Sequence, residues 1–260
     1  MKNVFITGAS SGIGAALARE YAAQGATLGL LARRRDNLEQ LRRSLPNPAL
    51  HHIYALDVTD HAALAAAATD FIQKTGKVHV VIANAGISVG TLTEYAGDLA
   101  VFERVVQTNL TATVATFAPF IQTMKRDAQQ DACRLVGIAS VAGIRGLPGA
   151  EAYSASKAAV ISYCESLRVE LKKSGIRVVT IAPGYIDTPM TQINTYRMPF
   201  LMPVQKFAAK AVQTIDAGCS YRVIPWQMGV VAKCLRLLPN ALYDAVFSRA
   251  PHKARADEQR

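Results

Sequence analysis

The feature that most constrains this chain is a regular alternation. Short runs rich in β-branched residues, at 3–7, 27–31, 52–56, 78–83, 134–139 and 177–182, are each followed by a longer stretch of helical period. A seventh run lies at 222–224, and the helical stretches start near Gly12, Asp36, Asp60, Asp98, Tyr153 and Pro203. Strands that run parallel need a crossover between them, and a helix is the usual one. The pattern predicts an α/β fold with a doubly wound, mostly parallel seven-stranded sheet and helices on both faces.

Composition fits that architecture. Of 260 residues, 50% are hydrophobic and 18% charged, enough for one continuous core. The N-terminus runs from Met1-Lys2-Asn3 straight into Val4-Phe5-Ile6 without the regions of a secretion signal, and charges interrupt every apolar run well short of a bilayer span. A cytoplasmic protein is expected. The four cysteines are far apart with no CxxC pair, and the histidines lack ligand spacing, so reduced thiols and no structural metal are expected. The formal charge of +10 is scattered rather than interleaved with aromatics, which argues against a nucleic-acid partner.

Chemistry begins at the first strand's end. Thr7-Gly8-Ala9-Ser10-Ser11-Gly12-Ile13-Gly14 follows it and opens the first helix. Its glycines permit a tight turn and close approach of a ligand, and a helix N-terminus offers N–H groups to a pyrophosphate. After the second strand come Arg33-Arg34-Arg35, at the positive end of the next helix. Cations there are unfavourable without an anion or solvent. With Ala32 where an acid would take a ribose 2′-hydroxyl, Arg33 favours NADP(H), with NAD(H) as the alternative. Arg34 and Arg35 read equally well as solvated surface. Asp36-Asn37-Leu38-Glu39 reads as a capping box, with Leu38, Leu41 and Leu45 on one face.

Taken together, Thr7 to Gly14, Asp57-Val58, Asn84-Ala85-Gly86, Asn109, Ser140, Tyr153-Ser154-Ala155-Ser156-Lys157 and Pro183-Gly184 resemble the short-chain dehydrogenase/reductase family, in its single-domain branch. The resemblance runs from about residue 3 to 225. It implies a Rossmann-like fold, with residues 1–225 as the dinucleotide-binding catalytic domain and 226–260 as a helical extension of it. It also implies an oxidoreductase that moves a hydride between nicotinamide and a carbonyl or alcohol carbon. Reduction of a ketone builds negative charge on oxygen, which needs a proton donor and a second hydrogen-bond donor. Tyr153 and Ser140 suit those roles, and Lys157, one helical turn on, favours the phenolate. By resemblance, Lys157 also holds the nicotinamide ribose and Asn109 positions a water in a proton relay. The resemblance likewise places Gly8, Ser10, Ser11, Gly12, Ile13 and Gly14 at the pyrophosphate, and Asp57 and Val58 at the adenine. It places Asn84, Ala85 and Gly86 beneath the adenine ribose, and Pro183, Gly184, Ile186 and Thr188 at the nicotinamide. Tight packing against a flat ring would explain Gly184.

Substrate selection falls to the loops at 87–99, 142–152 and 188–205. The last carries Met190, Ile193, Tyr196, Met198, Phe200, Leu201 and Met202, which suits a hydrophobic ketone or aldehyde. From Tyr221 to Arg260 there are seven Lys/Arg and three Asp/Glu along an apolar tail. That tail fits an extra helix packed on the domain, a partner subunit in a homodimer or homotetramer, or peripheral contact with an anionic membrane. Two further readings are an NAD-dependent alcohol dehydrogenase and a catalytically silent NADP(H)-sensing regulator.

Overall fold

A computed structural model describes residues 1–194, 196–248 and 253–255. The strands are β1 (Asn3–Thr7), β2 (Thr27–Ala32), β3 (His52–Ala55), β4 (Val80–Ala83), β5 (Arg134–Ile138), β6 (Arg177–Pro183), β7 (Ile186–Asp187), β8 (Met202–Pro203) and β9 (Tyr221–Ile224). The helices are α1 (Gly12–Ala23), α2 (Arg35–Ser44), α3 (His61–Thr75), α4 (Asp98–Val106), α5 (Ala112–Asp127), α6 (Glu151–Glu170), α7 (Pro189–Gln192), α8 (Val204–Asp216), α9 (Trp226–Leu237) and α10 (Asn240–Phe247).

Seven strands form one parallel sheet in the order β3-β2-β1-β4-β5-β6-β9. This is the Rossmann-like arrangement expected. Every residue of β2 and β4 is buried, because a parallel sheet covered on both faces leaves no polar side. One core layer joins Leu17 and Tyr21 of α1, Leu38 and Leu41 of α2, and Phe207 and Ile215 of α8. The other joins Phe71 of α3, Phe117 and Phe120 of α5, and Val160 and Cys164 of α6. Chain direction across the sheet reverses between β1 and β4, and a crevice opens there beyond the strands' carboxyl ends.

Local details differ from the sequence reading. Strand β4 starts at Val80 rather than 78, because the His79 imidazole Nδ1 accepts the Asn3 amide at 3.0 Å. Helix α2 starts at Arg35, and its N-cap, Arg34, makes no side-chain cap. Asp36 therefore stands inside the first turn, where its charge suits the dipole but no capping box forms. Asp60 does cap α3, accepting the Ala63 amide at 3.0 Å. The helix expected from Asp98 is broken by a wide π turn at Gln107–Thr111. Among the described residues, no helix is long and apolar enough to cross a membrane.

The tail packs on the sheet. Met228 and Ala232 of α9 and Tyr243 of α10 are buried, while Trp226, Val230, Leu237, Leu242 and Val246 face outward.

Candidate active site

A cavity of about 780 Å³ runs along the crevice from Arg33 and Asp57 to Tyr153 and Thr188. Along it, the turn after β1 enters α1 through Ser11, whose extended backbone (φ −163°) marks the N-cap but whose side chain makes no cap. The first turn of α1 thus lacks a side-chain capping acceptor where Ser11, Gly12 and Ile13 line the cavity, as an anion site requires. Gly14 does not line the cavity. A Cβ there would lie 2.3 Å from the Gly8 carbonyl oxygen, so its absence lets the helix close against the turn.

Asn84 locks that turn to β4. Its Nδ2 donates to the Thr7 carbonyl at 2.9 Å, while Thr7 Oγ1 accepts the Asn84 and Ala85 amides at 3.1 Å each. Asp57 accepts from the Thr59 amide at 3.0 Å and the Thr59 hydroxyl at 2.9 Å, and lies 3.8 Å from Arg33. Those hydrogen bonds and the guanidinium hold its carboxyl below the usual range, outweighing the largest opposing effect, partial burial. Val58 is buried beside it on the cavity wall. Arg34, which the sequence left as surface, also lines the cavity, with Nη2 3.5 Å from Ser11 Oγ. Arg35 opens α2 and is exposed.

Tyr153, Lys157, Ser140 and Gly86 line the same cavity. Ser140 follows β5, and its Oγ accepts the Ala142 amide at 3.2 Å. Burial raises the Tyr153 phenol above the ordinary value, and the Ser140 hydroxyl partly offsets this. Lys157 is 4% exposed, donates to the Ile138 carbonyl at 2.7 Å, and sits 5.8 Å from the Tyr153 ring centre. Desolvation pushes its ammonium down to about 8. A buried cation so placed has hydrogens to spare for acceptors in the cavity.

Asn109 occupies the π turn but does not face the cavity. It is fully buried, donates to the Ile87 carbonyl and Ser156 Oγ at 3.0 Å each, and accepts the Ile87 amide at 2.8 Å. Ser156 in turn donates to the Tyr153 carbonyl at 2.8 Å. The side chain is a strut between the loop after β4 and α6. Nothing in the sequence separated that role from a water-binding one, since both need the same amide.

Pro183, Gly184, Ile186 and Thr188 line the far wall. Gly184 is also crowded from the tail, where a Cβ would lie 2.6 Å from Met228 Cγ and 3.0 Å from Met228 Cβ. Beyond Thr188, the loop is closed at its base by the β7–β8 pair, with Ile186 opposite Met202. Met190 lines the cavity mouth, and Ile193, Phe200 and Leu201 are exposed nearby in sequence. Phe200 adopts φ +56°, a strained conformation for a bulky residue. Tyr196 packs edge-on against Tyr185, and burial, with smaller contributions from Tyr185 and Tyr153, raises its phenol above the ordinary value.

The uncapped helix start, the arginine pair and the under-partnered ammonium fit a nicotinamide dinucleotide lying along this cavity. Comparison with known proteins agrees. The chain matches the short chain dehydrogenase family over residues 2–197. It is 34% identical to an uncharacterized oxidoreductase of Myxococcus xanthus, over 95% of this chain and 97% of that one. It superposes on 3-ketoacyl-(acyl-carrier-protein) reductase from Brucella melitensis complexed with NADH with a TM-score of 0.79, at 25% identity over 86% of this chain and 96% of that one. It superposes on ElxO with NADP bound with a TM-score of 0.76, at 25% identity over the same shares. The chain belongs to the short-chain dehydrogenase family and is an oxidoreductase built to bind a nicotinamide dinucleotide.

Proposed function

We propose that this oxidoreductase uses NADP(H) to reduce a hydrophobic ketone or aldehyde, with Tyr153 as the proton donor. The observation that carries the reading is one cavity with Tyr153, Ser140 and Lys157 at one end and the Arg33–Arg34 pair at the other.

A bound nicotinamide supplies the hydride, or accepts it in the reverse direction. Tyr153 gives its phenolic proton to the oxygen on which charge develops, and Ser140 donates a second hydrogen bond to that oxygen. Lys157 brings positive charge near the phenol, lowering the cost of phenolate, and its remaining hydrogens suit ribose hydroxyls. Asn109 acts as a positioning residue, holding Ile87 and Ser156 about the Tyr153–Lys157 pair.

Two adjacent guanidiniums at the mouth of the adenine end, with Ala32 where an acid would stand, support NADP(H) over NAD(H). Met190 at the mouth and the exposed Ile193, Phe200 and Leu201 support an apolar substrate.

The test is a panel of apolar ketones and aldehydes with NADPH oxidation followed optically, run on wild type and Tyr153→Phe. Turnover by wild type and a fall in kcat of about 10³-fold in the variant, with NADPH affinity held within a few-fold, are expected. Near-normal turnover by Tyr153→Phe overturns the mechanism. NADPH binding without turnover across the panel favours a dinucleotide-sensing regulator.

A further inference from the structure

The end of the described chain crosses the loop that follows β4 in a set of contacts the proposed chemistry does not use. Asp98, at the start of α4, is 4% exposed. Its Oδ2 accepts the Leu92 amide at 2.9 Å and Arg255 Nε at 2.8 Å, and its Oδ1 accepts Arg255 Nη2 at 3.1 Å. This two-pronged pair joins residues 157 apart in the chain. The Arg255 guanidinium also lies 3.7 Å above the centre of the Tyr95 ring. Beside it, Lys253 Nζ donates to Ser88 Oγ at 2.9 Å, and the Gly90 amide donates to the Ala254 carbonyl at 3.2 Å. Residues 253–255 therefore lie along the loop as a strap. Gly90 makes this approach possible, because a Cβ there would lie 2.1 Å from the Lys253 carbonyl oxygen.

The strapped loop touches the reacting end at two places. Ile87 exchanges both backbone hydrogen bonds with the Asn109 side chain. Thr91 Oγ1 accepts the Ala152 amide at 3.3 Å, and Thr93 Oγ1 donates to Glu151 at 2.9 Å, both just before Tyr153. The tail grips the loop after β5 as well. Arg145 donates to the Arg236 and Leu238 carbonyls at 3.2 Å each and to Asn240 Oδ1 at 3.0 Å, pairing carbonyls that the end of α9 leaves open. Its guanidinium lies 4.2 Å from the centre of the Tyr243 ring, and the Tyr243 hydroxyl donates to the Gly146 carbonyl.

We propose that Arg255, acting through Asp98, is a positioning residue for the 87–98 loop, through which the C-terminal tail bears on substrate binding. The physical reason is that a buried carboxylate stripped of its guanidinium must draw in water or protonate, and either change frees Leu92 and the loop it anchors. The functional half of this inference rests on the role given to Tyr153 above. The structural half stands without it.

The experiment compares wild type, Arg255→Ala and Arg255→Lys in the full-length protein by two readouts. Hydrogen–deuterium exchange at residues 88–98 should quicken by about tenfold or more in the alanine variant and by less in the lysine variant, which keeps the charge but not the fork. The KM for the best panel substrate should rise about tenfold in Arg255→Ala, while the NADPH Kd stays within about twofold. Unchanged exchange overturns the strap. Faster exchange with unchanged KM and kcat overturns the positioning role. If wild type turns over nothing, the reading of Tyr153 fails while exchange still decides whether the strap holds. Should the alanine variant fail to fold, the lysine variant and Lys253→Ala carry the same comparison.

Discussion

Replacing Lys157 by methionine should make the ligand-free protein more stable at pH 7 while removing its turnover. Lys157 is 4% exposed, and among the described residues its hydrogen bond is to the Ile138 carbonyl. Desolvation is the main cause that brings its ammonium from 10.5 down to about 8, with Cys164 a smaller opposing one. The group is still mostly charged at pH 7, so the fold bears the cost of holding it. A fall of that size corresponds to roughly 3 kcal/mol. Methionine has a similar length and no charge, but it leaves the Ile138 carbonyl without its donor, at about 1–1.5 kcal/mol. The net gain is about 1.5–2 kcal/mol, or a rise in Tm of about 3–8 °C.

The pH dependence gives the sharper check. The folded-state value lies below the unfolded one, so between about pH 8 and 10.5 the unfolded chain binds the extra proton. The cost is fully present below about pH 8 and gone above 10.5, and wild type recovers stability through that window. Urea unfolding of both proteins at pH 7, 8.5 and 10 should show the variant's advantage shrinking and then reversing, once only the lost hydrogen bond remains. A variant less stable than wild type at pH 7, or a gap that is constant with pH, would refute the reasoning.

Arg33→Ala and Arg34→Ala should each weaken NADPH binding by about tenfold through a lost charge-assisted contact, with little effect on NADH. Calorimetric titration with both dinucleotides measures this, and equal losses for the two would sink the 2′-phosphate assignment. Gly14→Ala should cost about 1–3 kcal/mol of stability and weaken binding of either dinucleotide, because its Cβ falls 2.3 Å from the Gly8 carbonyl oxygen. Thermal unfolding and a binding titration indistinguishable from wild type would show that the turn relaxes freely.

The sheet was legible because strands buried on both faces must be written as continuous apolar runs, as β2 and β4 are. The residues at the reacting end were legible for a different reason: a tyrosine and a lysine one turn apart share a helix face wherever that helix goes. What stayed hidden depends on distance along the chain. Asp98 and Arg255 are 157 residues apart, and neither carries a local mark of its partner. The crowding of Gly184 by Met228 stayed hidden in the same way, because Met228 belongs to a later helix. Arg34 lines the cavity while remaining exposed, a placement that depends on Ser11 more than twenty residues earlier.

The positions where local rules fail are also informative. An uncapped helix start at Ser11, two arginines at a positive helix end and a lysine buried with, among the described residues, a carbonyl as its hydrogen-bond partner are each unfavourable in the isolated chain. Isolated irregularities of this kind have many causes, but these three line one cavity. Each would be relieved by a complementary group: phosphate oxygens at Ser11, a further phosphate at Arg33 and Arg34 under the NADP(H) reading proposed above, and hydroxyl oxygens at Lys157. One extended ligand carrying those groups in that order would relieve all three at once. The stability that Lys157 withholds from the empty protein is accordingly expected to return on binding, so saturating NADPH should raise the Tm of wild type by more than that of Lys157→Met.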